Sequence, residues 1–303
     1  MFKKARRYLK SPYYAFGDDL MKVHPQWMSD KYFIKVFWKQ MMSYPLDLKH
    51  PKTFNEKLQW MKLYDRNPMY TNLVDKLKVK AWVADKIGSE HVISTLAVYD
   101  DVDDIRLEEL PNQFVLKCNH DSGGVVICTD KRSFDFDAAK IKLKKSFDHN
   151  FYWDYREWVY KNVERKLFAE QFMVNAVEGE TKGFAGLRDY KFFCFNGEPK
   201  VMYISNDRAE NPTTDFFDMD YNRLPIYMKD PPSPTLPIRP ASFEEMKEFA
   251  SVLSEGLRQV RVDFYETKQG VFFGEMTFSH SAGFSEVHPY EWNVMMGDWF
   301  NLK

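Results

Sequence analysis

The stretch RVDFYETKQGVFFGEMTF, Arg261 to Phe278, decides how the rest of the chain is read. It divides into two strands joined by a short turn at Thr267–Gly270. Val262 and Phe264 alternate with Arg261 and Asp263, and Val271, Phe273 and Phe278 mark the return strand as apolar. Side chains alternate along a strand, so Arg261, Asp263 and Tyr265 share one face. With the turn centred near Gln269, Phe273, Glu275 and Thr277 share a face on the return strand. Asp263 then opposes Glu275, and Arg261 opposes Thr277. Directly opposed residues sit about 4.5–5.5 Å apart, where like charges destabilise a sheet. Two carboxylates so placed require a cation or a shared proton. Two accounts are open. The pair is a seat for a hard divalent cation such as magnesium, which combines one or two carboxylates with substrate phosphates. Alternatively, the hairpin face is exposed, with Asp263 paired to Arg261 and Glu275 to a lysine.

The 303 residues suffice for one large domain or two to three small subdomains. At 44% hydrophobic and 29% charged, the composition is that of a folded chain rather than a disordered one. The 17% aromatic content points to aromatic-rich cores ahead of a carbohydrate- or base-facing surface. Lys+Arg 43 against Asp+Glu 44 excludes a generic nucleic-acid binder. Cys118, Cys128 and Cys194 form no C-x-x-C pair, and their odd number opposes a disulfide framework and fits a reducing cytoplasm. No run of about 18 apolar residues is present to span a membrane. The start, MFKKARRYLKSPYYAF, is basic but lacks the apolar run of a signal peptide. Phe2, Ala5, Tyr8 and Leu9 oppose Lys3, Lys4, Arg6, Arg7 and Lys10, as in a basic amphipathic helix. Such a helix rests on an anionic inner-membrane leaflet or is simply solvated.

Three helices are expected before residue 90. They are DKYFIKVFWKQMMSY, TFNEKLQWMKLYD with Thr53 and Glu56 as a capping box, and NLVDKLKVKAWVADKIG ending at Gly88. DDVDDIRLEELP reads as an acidic, solvated connector. QFVLKCNHDSGGVVICTD is strand, glycine turn, strand, followed by a helix from about Phe134 to His149. KLFAEQFMV is a strand, and DYKFFCFNGEPKVMYISNDR is a hairpin turning at Asn196–Gly197. DPPSPTLPIRP is a loop, and ASFEEMKEFASVLSEGL a helix with Ser242 as its N-cap. Helices first and antiparallel pairs after them define an α+β class.

Two further segments bear on chemistry. Lys117 ends an apolar strand before the turn His120–Gly124, and a lysine beside exposed N–H groups can cradle phosphate, although no Walker A pattern is present. Glu170 lies inside the apolar strand KLFAEQFMV, where an unpaired carboxylate is costly. Its partner is a structural Arg or Lys, or the polar groups of a ligand; Lys191 in DYKFF poses the same question.

In order, the lysine strand and glycine loop, the strand glutamate, the R-x-D strand and the late strand of pattern G-E-x-Asn/Thr resemble the ATP-grasp superfamily. FNEKLQWMKLYD, VDKLKVKAWVADKIG, LPNQFVLKCNHDSGG, DYKFFCFNGEP and VRVDFYETKQGVFFGEMTFSHSAGF resemble its TupA-like branch, over about residues 45–300. The resemblance implies two α+β subdomains clasping ATP: a small one at residues 91–180 with the glycine loop, and a large one at 181–303 with the metal-binding hairpin. A mainly helical region at 1–90 precedes them. It implies Lys117 and Lys76 on the nucleotide phosphates, closed over by His120, Ser122, Gly123 and Gly124, with Glu170 beside adenine and ribose. It implies Asp263 and Glu275 as magnesium ligands, with Thr277 where many members place an asparagine. Arg261, with Lys191 and Lys117, is implied in catalysis. Arg208, His280 and His288 are candidate substrate-binding groups, against surface or structural roles for each.

The expected activity is carboxylate–amine ligation through an acyl phosphate, with ATP and Mg2+ as cofactors. An amino acid or amine is joined to a uronic acid or related carboxylate, lipid- or nucleotide-linked, in bacterial surface-polysaccharide assembly. Two rivals stand beside it. A glycosyltransferase would use the D-x-D at Asp218–Asp220, and a non-catalytic carbohydrate binder would use the aromatic content, including Tyr152, Trp153, Tyr155, Trp158 and Tyr160.

Overall fold

The computed structural model describes residues 25–176, 187–206 and 212–302. The basic segment at the start and Arg208 lie outside the described residues. Helix α1 (Asp30–Met41) begins after Ser29, whose hydroxyl accepts from the Tyr32 N–H. Helix α2 (Phe54–Tyr64) starts at the expected capping box, with Glu56 Oε2 accepting from Thr53 N at 3.0 Å and Thr53 Oγ1 from Glu56 N at 3.2 Å. The single helix expected up to Gly88 is two, α3 (Met69–Val74) and α4 (Lys78–Ile87). Asp75 makes the break. Its Oδ1 accepts from the N–H groups of Leu77 and Lys78 and from Asn119 Nδ2. The apolar period runs unbroken through this point because the interruption is set by a tertiary contact, not by a helix breaker.

Strands β1 (Thr95–Tyr99), β2 (Phe114–Cys118), β3 (Val125–Cys128) and β4 (Leu167–Gln171) form an antiparallel sheet in the order β1-β4-β2-β3. Helix α5 (Phe136–Asp148), capped by Asp135, covers one face of it, burying Leu143 against Leu116 and Ala169. The acidic connector is not a plain solvated loop. It makes two 3₁₀ turns, Val102–Asp104 and Leu107–Glu109, and sends Val102, Ile105 and Leu110 into the same core. Burying three apolar side chains outweighs the preference of the acids for water, and the acids stay at the rim. A one-turn helix, α6 (Tyr152–Tyr155), precedes β4.

The second sheet holds β5 (Asp189–Phe195), β6 (Glu198–Asn206), β7 (Thr213–Phe217), β8 (Arg223–Leu224), β9 (Gln259–Thr267) and β10 (Gly270–Thr277). All neighbours are antiparallel, in the order β10-β9-β5-β6-β7-β8. The β5–β6 hairpin turns at Asn196–Gly197, with φ of +51° and +82°, as a tight two-residue hairpin requires. Helix α7 (Phe243–Ser254) lays Phe243, Met246, Ala250 and Leu253 on the face carrying Phe192, Val262 and Phe264. Ser242 precedes α7 as expected but makes no side-chain cap; its N–H donates instead to Glu266 on β9 at 2.6 Å. On the opposite face, α2 and α8 (Tyr290–Asp298) cover only part of the sheet, packing Phe54, Leu58 and Met296 on Phe193 and Phe195. Lys57 fastens the two helices through the Gly297 and Phe300 carbonyls. The remainder of that face is where charged residues collect. No helix among the described residues is long and apolar enough to cross a membrane.

Candidate active site

The β9–β10 hairpin turns at Lys268–Gln269, with Thr267 opposite Gly270. Counting straight back from this turn sets Asp263 opposite Gly274 and sends Glu275 to the core face. The ladder does otherwise. Between Phe273 and Glu275 it slips by one residue and leaves Gly274 unpaired, a β-bulge. Asp263 therefore opposes Glu275, and Arg261 opposes Thr277. The sequence reading has this pairing, but with the turn half a residue away and no bulge. Phe273, expected on the face of Glu275, pairs with Phe264 in the core, because the bulge switches faces after it. A Cβ on Gly274 would lie 3.1 Å from the Asp263 carbonyl oxygen and 3.2 Å from the Tyr265 ring, so the bulge suits glycine.

The row continues across the sheet, with Lys191 opposite Asp263 and Tyr203 opposite Lys191. Arg261 binds both Asp263 oxygens, through Nε and Nη2, at 2.7 Å each. Its Nη2 also donates to Glu275 Oε1 at 2.8 Å and Thr277 Oγ1 at 3.0 Å, and its Nη1 to His280 Nδ1 at 2.8 Å. Lys191 donates to Asp263 and lies 3.3 Å from Asp189. The two carboxylates thus share a face and share one guanidinium, and Asp263 is buried rather than solvated.

Burial pushes the Glu275 carboxyl up, but Lys191, Lys76 and Arg261 outweigh it and hold the group at about 2. Burial would likewise pull Arg261 down, yet Asp263, Tyr203 and Glu275 keep it well above its ordinary value. His280 is held well below the ordinary histidine range, first by burial and then by Arg261 and Lys191. It is neutral and accepts from Arg261, between the rings of Phe193 and Tyr203.

The small sheet supplies the facing wall. Glu170 on β4 is clamped by Lys117 of β2 and Lys80 of α4, each at 2.5 Å. Lys80 also donates to Ile93 O and Thr95 Oγ1. Sequence reasoning missed Lys80: the demand of Glu170 for a partner was the signal, but nothing local names a lysine on a distant helix. Between the walls lies a cleft of about 970 Å³. Lys76, Lys80, Lys117, Lys142, Lys191 and Arg261 line it against Asp135, Glu170, Asp189 and Glu275, six cations to four anions, with Asp263 buried behind Arg261 and Lys191. Ile93, Met173, Leu187 and Tyr265 give it an apolar portion.

Ser122 and Gly123 line the same cleft; Gly123 has φ of +115° and open space where a Cβ would stand. Gly124 has none, since a Cβ there would meet Asp121 Oδ2 at 2.6 Å. His120 sits behind the loop, its Nε2 3.1 Å from the His149 carbonyl, and does not line the cleft. Lys76 occupies the break between α3 and α4. Its N–H donates to Asn119 O at 3.1 Å and its ammonium to Asp121 O, fastening the helices to the loop.

Other sequence candidates lie elsewhere. His288 stacks on Tyr227 with centroids 5.0 Å apart and does not line the cleft. Asp218 accepts from Asp220 N, Asn222 N and Asn222 Nδ2, so the D-x-D residues close a turn. The aromatic stretch packs inward: Tyr152 is buried and donates to Asp30, and Trp153 lies under Arg156. Behind the hairpin are two buried groups the sequence did not flag. Burial pushes Glu157 up to about 7 and Lys62 down to about 7, and Lys62 donates to the carbonyls of Tyr155 and Ala282. Among the described residues no three or more His, Cys, Asp or Glu side chains are grouped to hold a metal. Asp263, Glu275 and Thr277 do offer the oxygen donors magnesium takes, and magnesium needs only one or two carboxylates when phosphate supplies the rest.

Two antiparallel sheets facing each other across a lysine-lined cleft, with helices outside, make the ATP-grasp fold. A family model, TupA-like ATPgrasp, matches residues 56–301, and the chain belongs to that family. No curated protein matches the chain by sequence. Among solved structures, a D-alanine–D-alanine ligase from Bacillus anthracis aligns at 16% identity and a TM-score of 0.40, covering 69% of this chain and 59% of its own. The Helicobacter pylori D-alanine–D-alanine ligase gives 10% identity and 0.42, covering 82% and 69%. D-cycloserine synthetase DcsG gives 16% and 0.40, covering 76% and 70%. The chain thus spans about three fifths of the Bacillus anthracis ligase.

Proposed function

We propose that the protein is an ATP- and magnesium-dependent ligase that joins a carboxylate to an amine through an acyl phosphate. The observation that carries this reading is the row Lys191–Asp263–Glu275, threaded by Arg261, facing Lys117–Glu170–Lys80 across one cleft. Asp263, Glu275 and Thr277 would hold the magnesium, which when bound neutralises phosphate charge. Lys76, Lys117, Ser122, Gly123 and Gly124 take the phosphates, with His120 bracing the loop. Glu170 lies beside adenine and ribose, the base resting on the apolar portion of the cleft. Arg261 and Lys191 stabilise the charge on the transferring phosphoryl group. No nucleophilic side chain is required, because the substrate's own carboxylate and amine react in turn.

For the substrates we propose an amino acid or amine and a uronic acid or related carboxylate, carried on a lipid or nucleotide. The setting is capsule, O-antigen or teichuronopeptide assembly in the bacterial cytoplasm, at the inner membrane face. The TupA-like resemblance supports this. Arg208 stands as a proposed substrate contact; His288, outside the cleft, is proposed only for an acceptor that extends beyond it, and His280 acts through Arg261.

The test incubates the protein with MgATP, uronic-acid sugars and amino acids, and follows ADP and phosphate. ADP formation that needs both partners supports ligation; UDP release from a sugar donor with ATP inert rejects it. Asp263→Asn and Glu275→Gln should each fold and lose about a hundredfold or more in turnover. Unchanged turnover in either variant would remove the metal assignment.

A further inference from the structure

Helix α1 presents two unlike faces. Phe33, Ile34, Phe37 and Trp38 are buried against Ala282 and Phe284, in the segment that follows the β9–β10 hairpin. The outer face carries Lys31, Lys35 and Lys39, four residues apart and all exposed. Residues at that spacing lie on one side of a helix. None of the three lysines has a hydrogen-bond or ion-pair partner among the described residues. The helix has no second carboxylate to offset them. Asp30, the helix's one carboxylate, turns inward, accepting from Tyr152 Oη at 2.7 Å and lying 3.6 Å from Arg156 Nε. Tyr32, on the helix's first turn, is 58% exposed, and Trp27, in the turn that precedes the helix, is 81% exposed.

We propose that this face docks on an anionic phospholipid surface. Lysines attract acidic headgroups, each contributing within about a Debye length of the membrane. Tryptophan and tyrosine prefer the headgroup layer, where one end of the ring system is apolar and the other wet. An acidic protein partner would answer to the same lysines and would leave vesicles of either composition unbound, an outcome the test separates. The sequence ahead of α1 carries Lys3, Lys4, Arg6, Arg7, Lys10 and Lys22 against Asp18 and Asp19. The whole chain has a formal charge of only -1, so a general excess of positive charge would not draw it to an anionic surface. Docked this way, the bilayer surface lies about one helix diameter, roughly 10 Å, from Ala282. The inference stands apart from the ligase reading, because vesicle binding and ADP release are separate measurements.

The test sediments the full chain with vesicles of phosphatidylcholine alone, and with about 30% phosphatidylglycerol added. Binding is expected on the anionic vesicles only, and should weaken as salt rises from about 0.1 to 0.5 M. The combined variant Lys31→Glu, Lys35→Glu, Lys39→Glu should bind at least about tenfold more weakly. Trp27→Ala should also weaken binding. Both should keep the wild-type thermal midpoint and its response to MgATP, since none of these residues touches the cleft. Equal binding to neutral and anionic vesicles, absence of binding, or a charge-reversed variant that binds like wild type would each overturn the proposal.

Discussion

Glu170, buried between Lys80 and Lys117, shows what a single side chain imposes on its surroundings. Burial raises its carboxyl, but Lys117 and Lys80 outweigh that, and the net shift from the ordinary 4.5 is downward. A depressed carboxylate stabilises the fold above its unfolded pKa, and the contribution is lost as pH falls through the folded value. Glu170→Gln leaves two lysines facing a neutral group and should cost about 3 kcal/mol near pH 7. That difference from wild type should shrink below about pH 4.5, as denaturant titrations at a series of pH values would register. A constant difference would mean the carboxylate is not ionised in the fold. The need for a partner at Glu170 was legible from an apolar strand with one acid in it. The identity of Lys80 was not, because it is a property of where α4 comes to rest.

At the scale of the element, the capping box at Thr53, the Asn196–Gly197 turn and the β9–β10 hairpin were all readable, because each is written within a few residues. What escaped reading depends on contacts from afar. The break at Asp75 is held by Asn119, and the start of α7 by Glu266 rather than by the Ser242 side chain. The acidic connector folds because a core lies beneath Val102 and Ile105. The Gly274 bulge is the element on which the site's register depends. Gly274→Val pushes a branched side chain toward the Asp263 carbonyl and the Tyr265 ring, at an expected cost of about 1–3 kcal/mol. Turnover should fall further than stability alone explains, since Glu275 is displaced; Gly274→Ala should be milder on both counts. Denaturation midpoints measured beside ADP release separate the two effects. A Gly274→Val protein as stable and active as wild type would show that the bulge is dispensable.

Across the whole molecule, the cleft exists only where the two sheets face each other, and its lining carries two more cations than anions before any ligand arrives. A polyphosphate with its cation should therefore bind the native state alone. At about a hundredfold excess over its dissociation constant, MgATP should add about 2.7 kcal/mol to stability. Melting curves with ATP, with magnesium and with both would report this, and Asp263→Asn should lose the part that needs magnesium. No rise with MgATP would argue against a nucleotide site between the sheets. The α+β class and the ATP-grasp resemblance were legible because the order of motifs survives in one dimension. The joining of α2 to α8 through Lys57 was not, for its partners lie 240 and 243 residues along the chain.

The hairpin also keeps a parity. Between Asp263 and Glu275 one unpaired residue cancels the half-step set by the turn. A deletion or insertion of one residue there would turn an acid into the hydrophobic interior, whereas paired changes would leave it in place. Relatives with longer or shorter β9–β10 tips should therefore differ by even numbers, or gain and lose the bulge in the same event.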